Sequence, residues 1–254
     1  MKILFIGDVQ GQENIGRLTQ AVHDIKKREQ IDLTIVNGEN SADTNGISPT
    51  SADALFNFAD VITTGNHAFR RKEADSLFES NSRVLRPLNF GDTCPGRGVS
   101  IVDFGYCEVA VVNIMGMTFM PPCDNPFKSM DEVLGEISTP NIIVDFHAEA
   151  TSEKKAMVFH LAGRVSAVIG THTHVQTADE RIVDDFTAYI SDVGMVGAVD
   201  SIIGADKSVG SMFTDYYPVR HKYAAGEPEL NAVIIEIDHL TGRAISINKI
   251  RTRF

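Results

Sequence analysis

The chain has 254 residues, 43% of them hydrophobic, and its formal net charge is −11, from 23 Lys and Arg against 34 Asp and Glu. That length fits one large α/β domain, and we expect a single domain over residues 1–254. The acidic balance argues against an extended nucleic-acid footprint, which needs clustered Lys and Arg, but it is compatible with a small phosphorylated substrate held through bound metal ions.

Cysteine content and hydropathy indicate the compartment. The three cysteines are an odd number and match no CxxC spacing, which is typical of reduced thiols. No stretch approaches the ~18 uncharged apolar residues of a membrane span, and the first apolar run is too short for a signal peptide. We therefore expect a cytoplasmic protein that has no membrane segment. The sequence leaves its oligomeric state open.

Strands are predicted by apolar, β-rich runs over residues 3–6, 33–36, 61–63, 109–114, 142–144 and 165–169. Later strands are predicted over residues 188–190, 232–237 and 244–250, with a hairpin turn at 238–242. Helical patterns separate several of the earlier strands. Strands that alternate with helices predict a largely parallel sheet covered on both faces, which the later strands close.

Helices are predicted between these strands. The first has an apolar face formed by Ile15, Leu18, Val22 and Ile25. Ser48-Pro49 offers an N-cap and a favoured first residue for a helix over 52–58, and Ser152 is the expected cap of a helix that ends at residue 161. Loops are predicted over 91–98 and 117–125, and a small insertion near 126–137.

Short polar motifs follow the apolar runs. They are Gly7-Asp8, Gly38-Glu39-Asn40, Gly65-Asn66-His67, Asp145-Phe146-His147 and Thr171-His172-Thr173-His174. Because ligands of open α/β sheets bind at the carboxyl ends of the strands, we expect these side chains to converge. Carboxylate, amide and imidazole groups are ligands for divalent metals. The pattern therefore predicts a site for two metal ions, an arrangement that typically activates water for attack on a phosphate ester.

Taken alone, the first three motifs each have a structural alternative. Asp8 could cap the helix that follows it, and this is the favoured interpretation when Asp8 is considered without the other motifs. Glu39-Asn40 could be turn residues, because Asn is common in turns. Asn66 and His67 could belong to an ordinary surface loop. In the metal interpretation these residues supply oxygen ligands, and His67 lies beside the substrate.

The histidines are the more specific signal. In an extended segment, residues two apart point the same way, so His172 and His174 can face one cavity. His147 is the natural additional imidazole, with a buried core histidine as the alternative. The other histidines are interpreted as structural: His23, His160, His221 and His239. Half of the eight histidines therefore fall at strand ends beside Asp, Glu and Asn. None of the structural alternatives for the individual residues explains this grouping.

The donor set indicates which cations would bind. It mixes oxygen and nitrogen and has no thiolate, which favours Fe or Mn, with Zn or Mg as alternatives, over a structural zinc site. We expect two divalent or mixed-valence metal ions. Two adjacent cations would lower the pKa of a shared water, and the resulting hydroxide would attack phosphorus in line with the leaving oxygen.

The order and spacing of these motifs resemble the calcineurin-like metallophosphoesterases, and more closely their bacterial YmdB-like branch. The segments that carry the resemblance are Gly7-Asp8-Val9, Asn37-Gly38-Glu39-Asn40, Gly65-Asn66-His67 with Lys72-Glu73, residues 145–151, residues 170–179, residues 192–195 and residues 200–204. The resemblance covers nearly the whole chain and is most specific over 170–179. It implies an α/β fold in the form of a four-layered sandwich, with two mixed sheets flanked by helices.

The resemblance also implies roles for the site residues. One metal ion would be surrounded by Asp8, Glu39, Asn40 and His174. Glu39 would bridge to a second ion, held by Asn66, His147 and His172. Asn40 and His67 would contact the substrate, and His67 would be the catalytic histidine. The implied substrates are small cyclic nucleotides, 2′,3′-cyclic and also 3′,5′-cyclic forms, or other phosphate esters, and family members are associated with regulation.

Three positions depart from the wider superfamily. Gln10 stands where an Asp-x-His motif would place histidine, Glu39 replaces Asp, and Ala68 stands where Asp often follows Asn-His. Losing an acid beside His67 removes one means of raising its pKa. We therefore expect modest turnover.

Two alternative functions remain open. A phosphomonoesterase or protein phosphatase would use the same metals, although residues 192–210 are expected to wall the site rather than leave an open cleft. A regulatory protein would bind a nucleotide at the metal site with negligible hydrolysis.

Overall fold

The computed structural model of the protein describes residues 1–220 and 222–254, so His221 and its predicted structural role lie outside the described residues. The strands are β1 (Lys2–Ile6), β2 (Asp8–Val9), β3 (Leu33–Asn37), β4 (Val61–Thr63), β5 (Val99–Asp103), β6 (Glu108–Met115), β7 (Ile142–His147), β8 (Ala167–Thr171), β9 (Arg181–Val183), β10 (Thr187–Ile190), β11 (Met195–Ala198), β12 (Pro228–Ile237) and β13 (Ala244–Arg253). The α-helices are α1 (Ile15–Glu29), α2 (Pro49–Leu55), α3 (Ala74–Ser80), α4 (Pro126–Leu134), α5 (Thr151–Leu161) and α6 (Ser211–Thr214), with a 3₁₀ helix over Lys207–Gly210.

The strands form two mixed sheets. The first has the order β2-β11-β12-β1-β3-β4, with β13 paired to β12, and the second has the order β5-β6-β7-β8-β10-β9. In the first sheet β1, β3 and β4 are parallel and β12 is antiparallel to β1. In the second sheet β6, β7, β8 and β10 are parallel, and the edge strands β5 and β9 are antiparallel to their neighbours. The pattern-based prediction of one largely parallel sheet is therefore wrong.

Side-chain alternation along the strands produces four layers. Leu4 of β1 points to a core shared with helices α1 and α2, whereas its neighbour Phe5 points to a core shared with the second sheet. The outer face of the second sheet packs Phe146 against Met130 of α4 and Met157 of α5. The order is helix, sheet, sheet, helix, which confirms the four-layered α/β sandwich. An apolar strand has the same sequence pattern whether a helix or another sheet packs on it. The strand pattern alone therefore could not show that the strands form two sheets.

The helix termini test four expectations. Ser48 caps α2 as predicted, because its side chain accepts a hydrogen bond from the Ser51 N–H in a reciprocal capping box. The helix ends at Leu55 rather than at residue 58. The predicted cap at Ser152 is wrong, because the chain is already helical at Thr151 and Ala150 occupies the N-cap. The N-cap of α1 is Asn14, so Asp8 is not used as a cap there.

The segment near 126–137, interpreted from sequence as a small insertion, contains α4, whose Met130 is fully buried in the third core. The predicted loops over 91–98 and 117–125 lie outside helices and strands. The short elements α3, β9 and β11 were not predicted, because three to seven residues carry too little periodicity. Over residues 1–220 and 222–254, none of the helices has the length and apolarity needed to cross a bilayer.

Candidate metal centre

The predicted ligand residues meet where the carboxyl ends of strands from both sheets face each other. From the first sheet come β2, which begins at Asp8, the turn after β3 with Glu39, and the turn after β4 with Asn66. From the second sheet come His147 at the end of β7 and the loop after β8 that carries His172 and His174. Because each residue sits at a strand end, the sheet registers fix their relative positions.

A buried hydrogen-bond chain orients His147. Its Nδ1 lies 2.9 Å from Thr171 Oγ1, and the Thr171 hydroxyl donates to Asp145 Oδ1 at 2.6 Å. Asp145 also accepts from the side chain of Asn37 at 3.0 Å. Because Thr171 uses its proton on Asp145, His147 must donate from Nδ1, which leaves a lone pair on Nε2. Asp145 is therefore a support behind the site, although it lies in one of the strand-end motifs.

The Nε2 atom of His147 faces three other candidate ligands. It lies 3.2 Å from Glu39 Oε1, 3.0 Å from Asn66 Oδ1 and 3.0 Å from His172 Nδ1. The other nitrogen of His172, Nε2, lies 3.1 Å from Glu149 Oε2, where its proton is best placed. Two imidazole lone pairs and two oxygens thus face one another, an arrangement that needs a positive charge between them. The donor set fits a divalent cation held by Glu39, His147 and His172, whose ligand atoms lie within 4.8 Å of one another.

A second group of donors lies beside the first. His174 Nδ1 donates to the Ile203 carbonyl oxygen at 2.8 Å, so its Nε2 carries the lone pair and lies 3.8 Å from Asp8 Oδ1. Asp8 is fully buried, and its Oδ1 has no hydrogen-bond partner within the described part of the chain. A buried carboxylate oxygen without a partner is costly, which fits a second cation at this position. Gln10, which stands where the superfamily has histidine, places Nε2 3.4 Å from His174 Nε2.

Glu39 connects the two groups. Its Oε1 accepts from Asn40 Nδ2 at 3.2 Å and also faces His147, while its Oε2 accepts the backbone N–H of His67 at 3.2 Å. Gly65 allows this close packing. A Cβ at Gly65 would lie 2.3 Å from His147 Nε2 and 2.4 Å from Glu39 Oε2, so no side chain fits there. Glu39 would therefore be available as a ligand to either group of donors.

His67 lies at the edge of this cluster. Its Nδ1 is 2.9 Å from Asn40 Oδ1, which can only accept, so the His67 proton is on Nδ1. Its side chain remains 25% exposed and borders the cavity above the cluster. Burial holds the pKa of His67 below its usual value, although Glu39 opposes this shift. As placed, the Asn40 amide points its oxygen at His67 and its nitrogen at Glu39 and His174.

The buried charges strongly perturb one another. Burial raises the pKa of Asp8 to about 7. Burial would lower the pKa of His147, but the Glu39 carboxylate outweighs it and raises the pKa to about 9. Burial and the neighbouring His147 lower the pKa of His172 to about 3. The cluster of protein groups thus holds a proton beside Glu39, and a cation would compete with that proton for the same nitrogen.

The loop that carries His172 and His174 is not extended. Both residues have positive φ angles, 101° and 65°, which are strained for residues other than glycine. Between them, Thr173 donates its N–H and its hydroxyl to Asp192 Oδ2, at 2.9 and 2.8 Å. The predicted extended conformation is therefore wrong, but the prediction that both histidines face one cavity is confirmed. His172 reaches His147, and His174 reaches Asp8.

A cavity of about 380 Å³ opens above the cluster. The sequence-predicted residues on its wall are Glu39, Asn40, His67, His172 and His174. The expectation that residues 192–210 wall the site is confirmed by Ile202, Ile203, Ala205 and Val209, which also border this cavity. A larger cavity of about 690 Å³ lies between α1 and the end of β13, away from the predicted ligands.

Sequence reasoning missed several supporting residues. Glu149 and Ile203 fix the orientation of the two loop histidines, and Lys154 pairs with Asp192 beneath the loop. The one signal in the sequence that could have pointed to Glu149 was its position, only two residues after His147. The remaining described histidines His23, His160 and His239 contact Asn57, Asp131 and Tyr106 respectively, away from the cluster.

The whole chain is similar to known proteins of one family. The family model described as "YmdB-like protein" matches residues 4–250. A protein of Bacillus subtilis (strain 168) named 2′,3′-cyclic-nucleotide 2′-phosphodiesterase is 44% identical over 254 residues, which cover 98% of this chain and 96% of that protein.

Two solved structures share the fold, each with a TM-score of 0.94. One is a hypothetical protein from Thermus thermophilus, 37% identical, with 100% of this chain and 99% of that chain covered. The other is described as a novel phosphatase from Mycoplasma pneumoniae, 32% identical, with 100% and 93% covered. The matched residues include every predicted ligand from Asp8 to His174. The chain therefore belongs to the YmdB-like family, a bacterial branch of the calcineurin-like metallophosphoesterases.

Proposed function

We propose that the protein is a metal-dependent phosphodiesterase that hydrolyses small cyclic nucleotides, 2′,3′-cyclic forms first and 3′,5′-cyclic forms in addition. Membership of the family makes the chain a phosphoesterase, and the name of the Bacillus subtilis relative supports the cyclic-nucleotide substrate. The observation that carries the proposal is the set of imidazole nitrogens and carboxylate oxygens that face one another at 3.0 to 3.8 Å. Without a cation His147 holds a proton beside Glu39, and a bound cation would replace that proton.

Two cations would use the whole predicted ligand set. Asp8, Glu39, Asn40 and His174 would hold one, and Glu39, Asn66, His147 and His172 would hold the other. A ligand role for Asn40 requires its amide to turn over, because its oxygen now accepts from His67. When bound, the cations would activate a water and neutralise phosphate oxygens. We propose Fe or Mn, with Zn or Mg as alternatives, because the donors are oxygen and nitrogen without thiolate.

We propose that His67 is the catalytic histidine. With Nδ1–H donated to Asn40, its Nε2 is the atom available to exchange a proton with the leaving oxygen of the substrate. The lowered pKa makes the imidazolium a stronger acid, which favours donation of that proton. In the orientation described, Asn40 fixes the ring through this hydrogen bond and directs its Nδ2 to Glu39 and His174, so its hold on His67 and its role as a metal ligand belong to alternative orientations of the amide. Because both residues border the cavity, they are the proposed substrate contacts.

The single domain over residues 1–254 is supported by the core that the two sheets share, in which Phe5 and Ile143 belong to one cluster. The cytoplasmic location stays a prediction that rests on the cysteines.

A phosphomonoesterase or protein phosphatase is the second candidate activity, favoured by the description of the Mycoplasma pneumoniae structure as a phosphatase. A protein substrate fits less well, because Ile202 and Val209 wall one side of the cavity.

The test is hydrolysis of 2′,3′-cyclic AMP by the purified protein, with and without added Mn²⁺. We expect metal-dependent product and a loss of roughly 10²- to 10⁴-fold in kcat in the His67→Ala variant, with metal content preserved. His23→Ala is the matched control, because His23 is an exposed histidine on α1. If the metal-loaded parent forms no product, hydrolysis of another phosphate ester, or regulatory binding without hydrolysis, becomes the favoured function. A fully active His67→Ala variant would contradict the assigned role.

A further inference from the structure

The cavity above the metal centre has two chemically different walls. One wall carries the polar residues of the cluster, and the other carries apolar side chains from the segment after β11, including Ile203, Val209 and Phe213. A phosphate group needs only the polar wall. The volume of about 380 Å³ falls in the range of small-molecule sites, roughly 300–1,000 Å³. The apolar wall therefore has room for a further part of the substrate.

The apolar wall is attached to the metal centre itself. The carbonyl oxygen of Ile203 accepts the Nδ1 proton of His174 at 2.8 Å, and Ile203 adopts a positive φ of 46° to do so. The turn is completed by Gly204, whose N–H donates to Ser201 Oγ at 2.9 Å. Because His174 and Ile203 are linked directly, the distance between the cluster and the apolar wall is fixed by the fold.

Two apolar side chains on this wall are exposed, Ile203 by 54% and Phe213 by 76%. Large exposed apolar groups beside a polar site are typical of a surface that a ligand covers. A flat aromatic ring such as that of Phe213 is a stacking surface for any nucleobase, because every base has a π-face.

The charge of the cavity narrows the class of ligand. Among the described residues, the lining includes neither Lys nor Arg, and its two carboxylates are Glu39 and Glu149. A second phosphate away from the metal centre would therefore lack a cationic partner. The neutral polar side chains of Gln10 and Asn45 on the same lining can instead hydrogen-bond to an uncharged group. The lining thus suits one phosphate joined to a neutral, flat, apolar group.

We propose that Ile203 and Phe213 bind the base of a mononucleotide by stacking, and that this contact makes the protein prefer cyclic nucleotides to cyclic phosphate esters that have no base. The inference rests on the proposed function, because the metal centre must hold the phosphate. It predicts little discrimination among bases, since stacking on an aromatic ring tolerates all of them.

A binding experiment tests this without turnover. The chain has no Trp, so Phe213→Trp introduces a single fluorescent reporter on the apolar wall. We expect adenosine 3′-monophosphate to quench it in a saturable way, and glycerol 2-phosphate to leave it unchanged. The control is Tyr106→Trp, in the exposed turn between β5 and β6 and outside the cavity lining, where neither ligand should change the fluorescence. No response at Phe213→Trp, or an equal response to both ligands, would overturn the proposal.

A kinetic experiment separates this inference from the proposed function. We expect Phe213→Ala to lower the ratio of kcat/KM for 2′,3′-cyclic AMP over glycerol 1,2-cyclic phosphate by about tenfold, mainly through KM. Phe213→Tyr keeps the ring and should retain most of that ratio. If the parent hydrolyses both esters with the same kcat/KM, the inference fails and the phosphodiesterase stands. If the parent hydrolyses neither, the proposed function fails, and the fluorescence result decides base binding by itself.

Discussion

Lys154 Nζ lies 2.8 Å from Asp192 Oδ2, and the two side chains are only 2% and 1% exposed. The same carboxylate oxygen accepts both hydrogen bonds from Thr173, and Oδ1 accepts the Gly194 N–H at 2.8 Å. In the sequence Thr173 stands between His172 and His174, which both belong to the metal centre. The buried ion pair therefore holds a backbone conformation that non-glycine residues disfavour, and the metal centre depends on it.

Breaking this pair should destabilise the protein and loosen the loop. We expect Lys154→Met to lower the free energy of unfolding by about 3 kcal/mol, because it leaves the Asp192 carboxylate buried without its counter-charge. Metal retained after dialysis should fall as well. Urea denaturation and elemental analysis measure the two effects. The matched control is Lys155→Met, whose exposed pair with Asp179 should contribute less than about 1 kcal/mol.

The double variant Lys154→Met with Asp192→Asn tests the coupling. The two changes share one interaction, so the double variant should lose clearly less stability than the sum of the single variants. Simple additivity would show that Lys154 acts through packing alone.

Gly65→Ala should disable the metal centre. The added Cβ would meet His147 and Glu39 at 2.2 to 2.4 Å, distances that force one of them to move. We expect metal content to fall and kcat/KM to drop by about 10²-fold, as for a misplacement of about 1 Å in a catalytic site. Gly91→Ala is the control, because a Cβ there meets nothing within 4 Å among the described atoms. Normal metal content in Gly65→Ala would contradict the crowded geometry at Glu39.

Removal of the metal ions should lower thermal stability. A cation at 100 times its Kd stabilises the folded state by about 2.7 kcal/mol, which corresponds to a Tm shift of roughly 5–10 °C for a chain of this size. Differential scanning calorimetry with and without a chelator measures the shift. In His172→Ala and Asn66→Ala the shift should shrink, because each would lose a ligand. An unchanged shift in both variants would remove these residues from the ligand set.

Stability should depend on pH through Asp179. Burial raises the pKa of Asp179, but hydrogen bonds from Ser191, Thr177 and Lys155 outweigh it and hold the pKa at about 2. A folded pKa below the unfolded value of about 3.9 adds stability above pH ~4, and that stability is lost as the pH falls towards 2.

The variant Asp179→Asn isolates this contribution. With chelator present throughout, the parent should exceed the variant by on the order of 1 kcal/mol at pH 5, a figure reduced because the carboxylate is partly exposed. The difference should vanish near pH 2. If the difference in free energy of unfolding stays constant between pH 5 and pH 2, the effect of Asp179→Asn comes from packing and not from the charge of the carboxylate.

The sequence by itself determined which polar side chains stand at strand ends. Asp8, Glu39, Asn66 and His147 follow or end apolar runs, and parallel strands bring such ends to one edge of a sheet. Because strand ends follow from periodicity and chain order, the place of each residue at a strand end could be predicted without coordinates, whereas the meeting of strand ends from two different sheets could not. The resemblance to the YmdB-like branch added the four-layered sandwich, and the structure confirms it.

Only the tertiary structure decided how each group is used. Asp145 supports His147 through Thr171, and Lys154 and Asp192, 38 residues apart, hold the histidine loop. The sequence predicted an extended loop at His172, whereas the hydrogen bonds that Thr173 donates to Asp192 hold the loop with His172 at positive φ. Local patterns report the preferences of neighbouring residues, but contacts between distant segments fix proton positions, strained backbone and the walls of a cavity, because these depend on which side chains the fold brings within hydrogen-bond distance.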